Sequence, residues 1–150
     1  MTRRSARVRA VTLADFEAVA ASVARALRPG DVVTLMGPLG SGKTTFVAAA
    51  LRALGNAAEV SSPTFTFWHR YGGVPKVEHL DFYRIDDPAQ AREIGIEEAF
   101  GDDAIAFVEW PEQLPGVIGR DAIAVSIAGS GDGPRDVQIQ APPGRSVVLR

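Results

Sequence analysis

Residues 37–44 read Gly37-Pro38-Leu39-Gly40-Ser41-Gly42-Lys43-Thr44, the G-x-x-x-x-G-K-[ST] spacing of a nucleotide phosphate-binding loop. Each fixed position has a chemical task. The glycines let backbone N–H groups close around phosphate oxygens, Lys43 reaches the β- and γ-phosphates, and the Thr44 hydroxyl ligates Mg²⁺. The chain has two lysines, Lys43 and Lys76, against fourteen arginines. One of the two stands in the loop, where a compact point charge suits phosphate.

Nucleotide hydrolysis needs further groups: an acid near Mg²⁺ and a residue that positions the attacking water. Glu109 follows the apolar run 104–108 and so falls at the carboxyl end of a central strand, the edge where ligands gather in open α/β sheets. This is the place of a Walker B acid, with Glu where Asp is more usual. Asp81 follows Val77-Glu78-His79-Leu80 and is a second acid at a strand end. We assign the metal to Thr44 and Glu109, the latter directly or through water. Asp81 then orients water or a metal-bound water. Ser61-Ser62-Pro63-Thr64-Phe65 stands where nucleotide switches carry a Thr that senses the γ-phosphate, with a turn opening a strand as the alternative. Pro63 restricts itself and Ser62, which pre-shapes the segment. Arg84 is a phosphate or partner contact, or an ion-pair partner of Asp81, Asp86 or Asp87. His69 and His79 lack a third ligand at fixed spacing and read as solvated or core histidines.

These residues need elements to hold them. Asp31–Met36 is a short apolar, β-branched run that reads as a buried strand. After the loop, Phe46, Val47, Ala50, Leu51 and Leu54 recur at helical spacing up to Gly55, so a helix N-terminus faces the phosphates. Residues 7–11 read as a short strand. Thr12 caps a helix with Leu13, Phe16, Val19, Ala20, Val23 and Leu27 on its apolar face, and Pro29-Gly30 ends it. Residues 64–71 and 76–83 read as strands around a Gly72-Gly73 turn, with Pro88 opening a helix after Asp86-Asp87. Residues 104–109 form a buried strand, 122–128 and 136–140 a late hairpin, and 146–149 a last short strand. The expectation is a three-layer α/β domain with a mixed, mostly parallel central sheet, like a P-loop NTPase, spanning 1–150 as one unit.

At 150 residues, 46% hydrophobic and 23% charged, the chain is ordinary for a globular protein. A net charge of −2 gives no overall pull toward nucleic acid. Arg3, Arg4, Arg7 and Arg9 make either a binding arm or a solvated terminus leading into an edge strand, and we favour the second. With no cysteine, disulfides and thiolate metal sites are excluded. No apolar stretch reaches a membrane span of about 20 residues, and the N-terminus lacks a signal-peptide core. The expected location is the cytoplasm.

Five segments together give a specific resemblance: Gly37–Thr45, Ser62-Pro-Thr-Phe65, His79-Leu-Asp-Phe-Tyr-Arg84, Glu93-Ile-Gly-Ile-Glu97 and Val108-Glu-Trp-Pro-Glu112. Over about residues 30–115 the chain resembles the TsaE (YjeE) family, P-loop ATPases of bacterial tRNA threonylcarbamoyladenosine biosynthesis. The resemblance implies ATP and Mg²⁺ held by the loop, including Lys43, Thr44 and Thr45, with Glu109 as the acidic metal contact. It implies that Asp81 is needed for hydrolysis, that Trp110 lies near the nucleotide, and that Thr64 belongs to a switch-like segment. Without it, packing would be the better account of Trp110. It further implies TsaD and TsaB as partners, ATP hydrolysis supporting their repeated turnover, and tRNA met only through that complex. One departure stands out. Where the family often has Thr-x-x-x-Gly on the first helix, this chain has Phe16 and Ala20.

Other classes are weighed on the same residues. A small-molecule kinase would share the loop, but no Arg-rich insertion long enough for a lid is visible. GTP selection by Asn-Lys-x-Asp is excluded, because Asn56 is the only Asn and Ala57 follows it. A regulator that uses ATP only as a conformational ligand would carry the same sequence features. Residues 86–100 are then a candidate docking surface, or an ordinary surface helix.

Overall fold

Short apolar runs set between Gly, Pro and Asp-rich breaks define the strands of the chain. The computed structural model describes residues 4–56 and 67–145. In chain order these form β1 (Arg4–Ala10), α1 (Leu13–Arg25), β2 (Val32–Met36), α2 (Lys43–Ala53), β3 (Trp68–Tyr71) and β4 (Lys76–Asp81). Then follow α3 (Pro88–Glu93), a 3₁₀ turn at Ile96–Phe100, β5 (Ala104–Glu109), a second at Pro111–Gln113, β6 (Ile123–Ala128) and β7 (Arg135–Ala141). The strands make one sheet in the order β1-β7-β6-β2-β5-β4-β3. Its four middle strands, β6, β2, β5 and β4, run parallel, and the outer pairings are antiparallel. The sheet is therefore mixed, parallel where it carries the site.

Helices cover both faces. Phe16, Val23, Phe46 and Leu51 of α1 and α2 pack on Val33, Leu35, Ile105 and Phe107. On the other face Ile85, Ala91, Ile96 and Ala99 pack on Leu80, Ala106 and Val108. Period-2 alternation sorts the residues: along β5, Ile105, Phe107 and Glu109 turn toward α2, while Ala104, Ala106 and Val108 turn away.

Thr12 is the N-cap of α1. Its hydroxyl accepts from Asp15 N–H at 3.1 Å, and Asp15 accepts from Thr12 N–H at 3.2 Å. This is a capping box with Asp in the reciprocal place. Leu13 departs from the expected apolar face: it is 64% exposed, because packing on the sheet begins a turn later, at Phe16. The first strand begins earlier than expected, at Arg4, where it pairs with Ala141, and ends at Ala10 as the capped helix starts. Arg4, Arg7 and Arg9 lie on this edge strand, where exposed charge discourages further pairing. The β4 strand ends at Asp81 rather than 83, because Tyr83 N–H turns back to Asp81 Oδ1 at 2.9 Å. Of the expected strand 64–71, β3 covers Trp68–Tyr71, while residues 64–66 and the strand expected at 146–149 lie outside the described residues.

Candidate nucleotide site

The loop sits between the carboxyl end of β2 and the start of α2, as the strand–loop–helix reading requires. Its bend depends on Gly42, the N-cap, at φ 104°, where a Cβ would also come within 3.2 Å of the Phe16 ring. The loop is thus shaped against α1. Lys43 folds back over it, its ammonium donating to Gly37 O at 2.7 Å and Pro38 O at 3.0 Å. Burial pushes the Lys43 pKa below its ordinary value, opposed by the carboxylates of Glu109, Asp81 and Glu112. An incoming polyphosphate would add negative charge beside this buried ammonium and further favour its charged form.

Register puts the two acids side by side. Glu109 pairs with Leu35 on one side and Asp81 on the other, at the carboxyl ends of β2, β5 and β4. The Thr44 hydroxyl lies 3.1 Å from both oxygens of the Glu109 carboxylate. A hydroxyl and a carboxylate are hard oxygen donors of the kind Mg²⁺ takes, with phosphate and water completing its shell. Among the described residues no cluster of three or more His, Cys, Asp or Glu could hold a metal. Glu109 is almost fully buried and has a further partner, His79, whose Nε2 lies 2.6 Å from Oε2. With Nε2–H donating, the imidazole fixes the carboxylate from below. Nδ1 of His79 is then a bare buried acceptor without a partner among the described residues, which is cheaper than a buried N–H.

Trp110 follows Glu109 with φ 56° and ψ 51°, a left-handed conformation costly for a residue with a side chain. The turn aims the indole over the loop, with Lys43 Nζ 4.3 Å from a ring centroid and the Tyr83 ring at 4.8 Å.

These groups line an open cleft of about 1100 Å³. Leu39, Gly40, Gly42, Lys43, Thr44, Thr45, Asp81, Glu109 and Trp110 all reach it, as does Arg84. Gly37 and Ser41 sit beneath, Ser41 fully buried. Thr64 and the rest of 61–65 lie outside the described residues. His79 is indeed a core histidine, but its bond to Glu109 makes it part of the site. Sequence gave one signal for it: it stands an even number of residues before Asp81, so both face the same way on β4. Arg135 was missed outright. It comes from the late hairpin and lines the same cleft.

A strand-loop-helix phosphate site with a strand-end acid on the loop threonine, at the edge of a partly parallel sheet, defines a P-loop nucleotide-binding protein. Residues 11–137 match the family model described as "Threonylcarbamoyl adenosine biosynthesis protein TsaE", and the chain belongs to the TsaE family. It is similar to the tRNA threonylcarbamoyladenosine biosynthesis protein TsaE of Bacillus subtilis, 34% identical over 94% of this chain and 89% of that one. The Treponema pallidum protein of the same name is 32% identical over 78% of this chain and 87% of its own. Among solved structures, the Bacillus YdiB crystal structure superposes with a TM-score of 0.79 at 30% identity, covering 94% of this chain and 88% of that one. The family places the chain in tRNA threonylcarbamoyladenosine biosynthesis. Among the described residues, no helix is long and apolar enough to cross a membrane.

Proposed function

We propose that this chain binds ATP with Mg²⁺ and hydrolyses it to ADP and phosphate, and that this supports repeated turnover of a TsaD–TsaB complex in the cytoplasm. In this reading tRNA is engaged only through that complex. The observation that carries it is the Thr44–Glu109 pair beside Lys43 at the foot of the loop. Mg²⁺, when bound, would neutralise charge on the phosphate oxygens. The chain's own residues do the rest. Backbone N–H groups of the loop 37–45, apart from Pro38, which has none, and Ser41, which donates to Pro38 O, would hold the phosphates, and Lys43 adds a positive charge. Thr44 and Glu109 would hold the metal, and His79 keeps Glu109 in place. Asp81, held at Oδ1 by Tyr83 N–H, orients the attacking water. Thr64 senses the γ-phosphate, and Trp110 reports the occupied site.

The test is Mg²⁺-dependent ATP hydrolysis by the purified protein, alone and with TsaD and TsaB, against Lys43→Ala. Low turnover that rises with the complex and disappears in the variant is expected. Turnover indifferent to the complex would favour a small kinase or unrelated ATPase. Tight ATP binding without hydrolysis in either setting would favour a purely conformational role.

A further inference from the structure

Arg135 opens β7, far along the chain from the loop, yet its guanidinium lies against the loop's backbone. Nε donates to Ser41 O at 2.7 Å and one terminal nitrogen donates to Gly40 O at 3.2 Å. The same nitrogen reaches Gly131 O at 2.9 Å, and the other reaches Gly133 O at 2.6 Å and Pro134 O at 3.5 Å. The N–H donors of the fork are thus directed at carbonyls of two Gly-rich segments, the phosphate loop and the β6–β7 turn. A second contact joins the same parts: a Cβ at Gly37 would lie 2.6 Å from Ile127 O, so β6 abuts the first residue of the loop.

We propose that Arg135 is a positioning residue, a latch from the C-terminal hairpin that holds the phosphate loop in its binding shape. A peptide unit whose carbonyl is held outward presents its N–H on the opposite side, toward the anion. Pinning the Ser41 carbonyl therefore pre-sets the Gly42 N–H that follows it, while the bond to the Gly40 carbonyl braces the tight turn that Ser41 N–H closes by donating to Pro38 O at 3.1 Å. Arg suits this task because its planar fork spans several acceptors at once, whereas an ammonium is a point. The positive charge also stays beside the cleft, lowering the cost of bringing a nucleoside di- or triphosphate into it.

The proposal rests on the loop being a nucleotide site, so the experiment has an arm that does not need nucleotide. Amide hydrogen exchange is followed in the nucleotide-free wild type and in Arg135→Ala, Arg135→Lys and Arg135→Gln, with MgADP affinity measured by calorimetry. A latch predicts exchange across 37–45 about tenfold faster in all three variants, the effect of losing a charge-assisted hydrogen bond. MgADP affinity should fall by about tenfold or more, with exchange in α1 unchanged and the melting temperature nearly kept. Full recovery by lysine, or unchanged exchange in the alanine variant, would overturn the latch. Faster exchange throughout β6 and β7 with a lowered melting temperature would also overturn it, assigning Arg135 to hairpin stability. If the alanine variant does not fold, the lysine and glutamine variants make the same comparison. Failure of the wild type to bind MgADP would sink the nucleotide reading, and exchange in the free protein would still decide the latch.

Discussion

Glu109 is held by three neighbours with different jobs: Thr44 in front, His79 below and Lys43 near enough to feel its charge. A carboxylate buried this deeply is costly without donors. His79→Phe keeps the volume and removes the buried donor, so it should destabilise the fold by about 1–3 kcal/mol, the penalty for a buried polar group left short of a partner. Urea denaturation measures it. An unchanged midpoint would mean that Thr44 alone satisfies the carboxylate. The acid was legible because an apolar run ending in Glu names its own position in a strand. The histidine's role was not, because its bond to Glu109 is a diagonal one: His79 pairs in register with Phe107 and Asp81 with Glu109, and that β4 lies beside β5 at all is set by strand order rather than by a local pattern.

Among elements, α1 shows how far pattern reading reaches. Its cap and buried stripe were readable from Thr12 and from the spacing of Phe16, Val19, Ala20 and Val23. What Phe16 meets was not. Its ring stands edge-on to Phe46, centroids 6.0 Å apart, and fills the space beside Gly42. In this chain the helix therefore supports the loop by packing, at a position where the family often has a threonine. Phe16→Ala should cost about 3–5 kcal/mol, as for other buried aromatics, and weaken MgADP binding by loosening the wall behind Gly42. Thermal unfolding and calorimetry check the two effects separately. Loss of stability with unchanged affinity would show that the loop holds its shape without α1. The late hairpin was legible as a hairpin, from alternation around a Gly-rich turn. Its reach to the loop was not, because that contact is set by strand order rather than by any local pattern.

For the whole molecule, one pH response is expected from a histidine away from the phosphates. Burial, with the electrostatics of cross-strand His79 adding to it, lowers the pKa of His69, whose ring also faces the Tyr71 hydroxyl. A lowered value means that the folded state prefers the neutral ring. The contribution is full above the ordinary value of about 6.5 and is lost as pH falls through the lowered one. The melting temperature should therefore drop on acidification below about pH 6.5, and drop less in His69→Gln. Identical acid limbs in the two proteins would clear His69 of the effect, which is modest for a ring that is only half-buried.

The strand order has a last consequence, for synthesis. β2 carries the phosphate loop, yet its two neighbours, β5 and β6, both come later in the chain: Val32 pairs with Ala106 and Val33 with Ile123. A ribosome that has released only the first half of the protein has made the loop sequence without either strand that flanks it. Such non-local pairing delays folding. The nascent chain should remain unable to retain nucleotide until the last hairpin has emerged, which binding to stalled chains of increasing length would measure; retention by a chain ending before β6 would break the link to strand order.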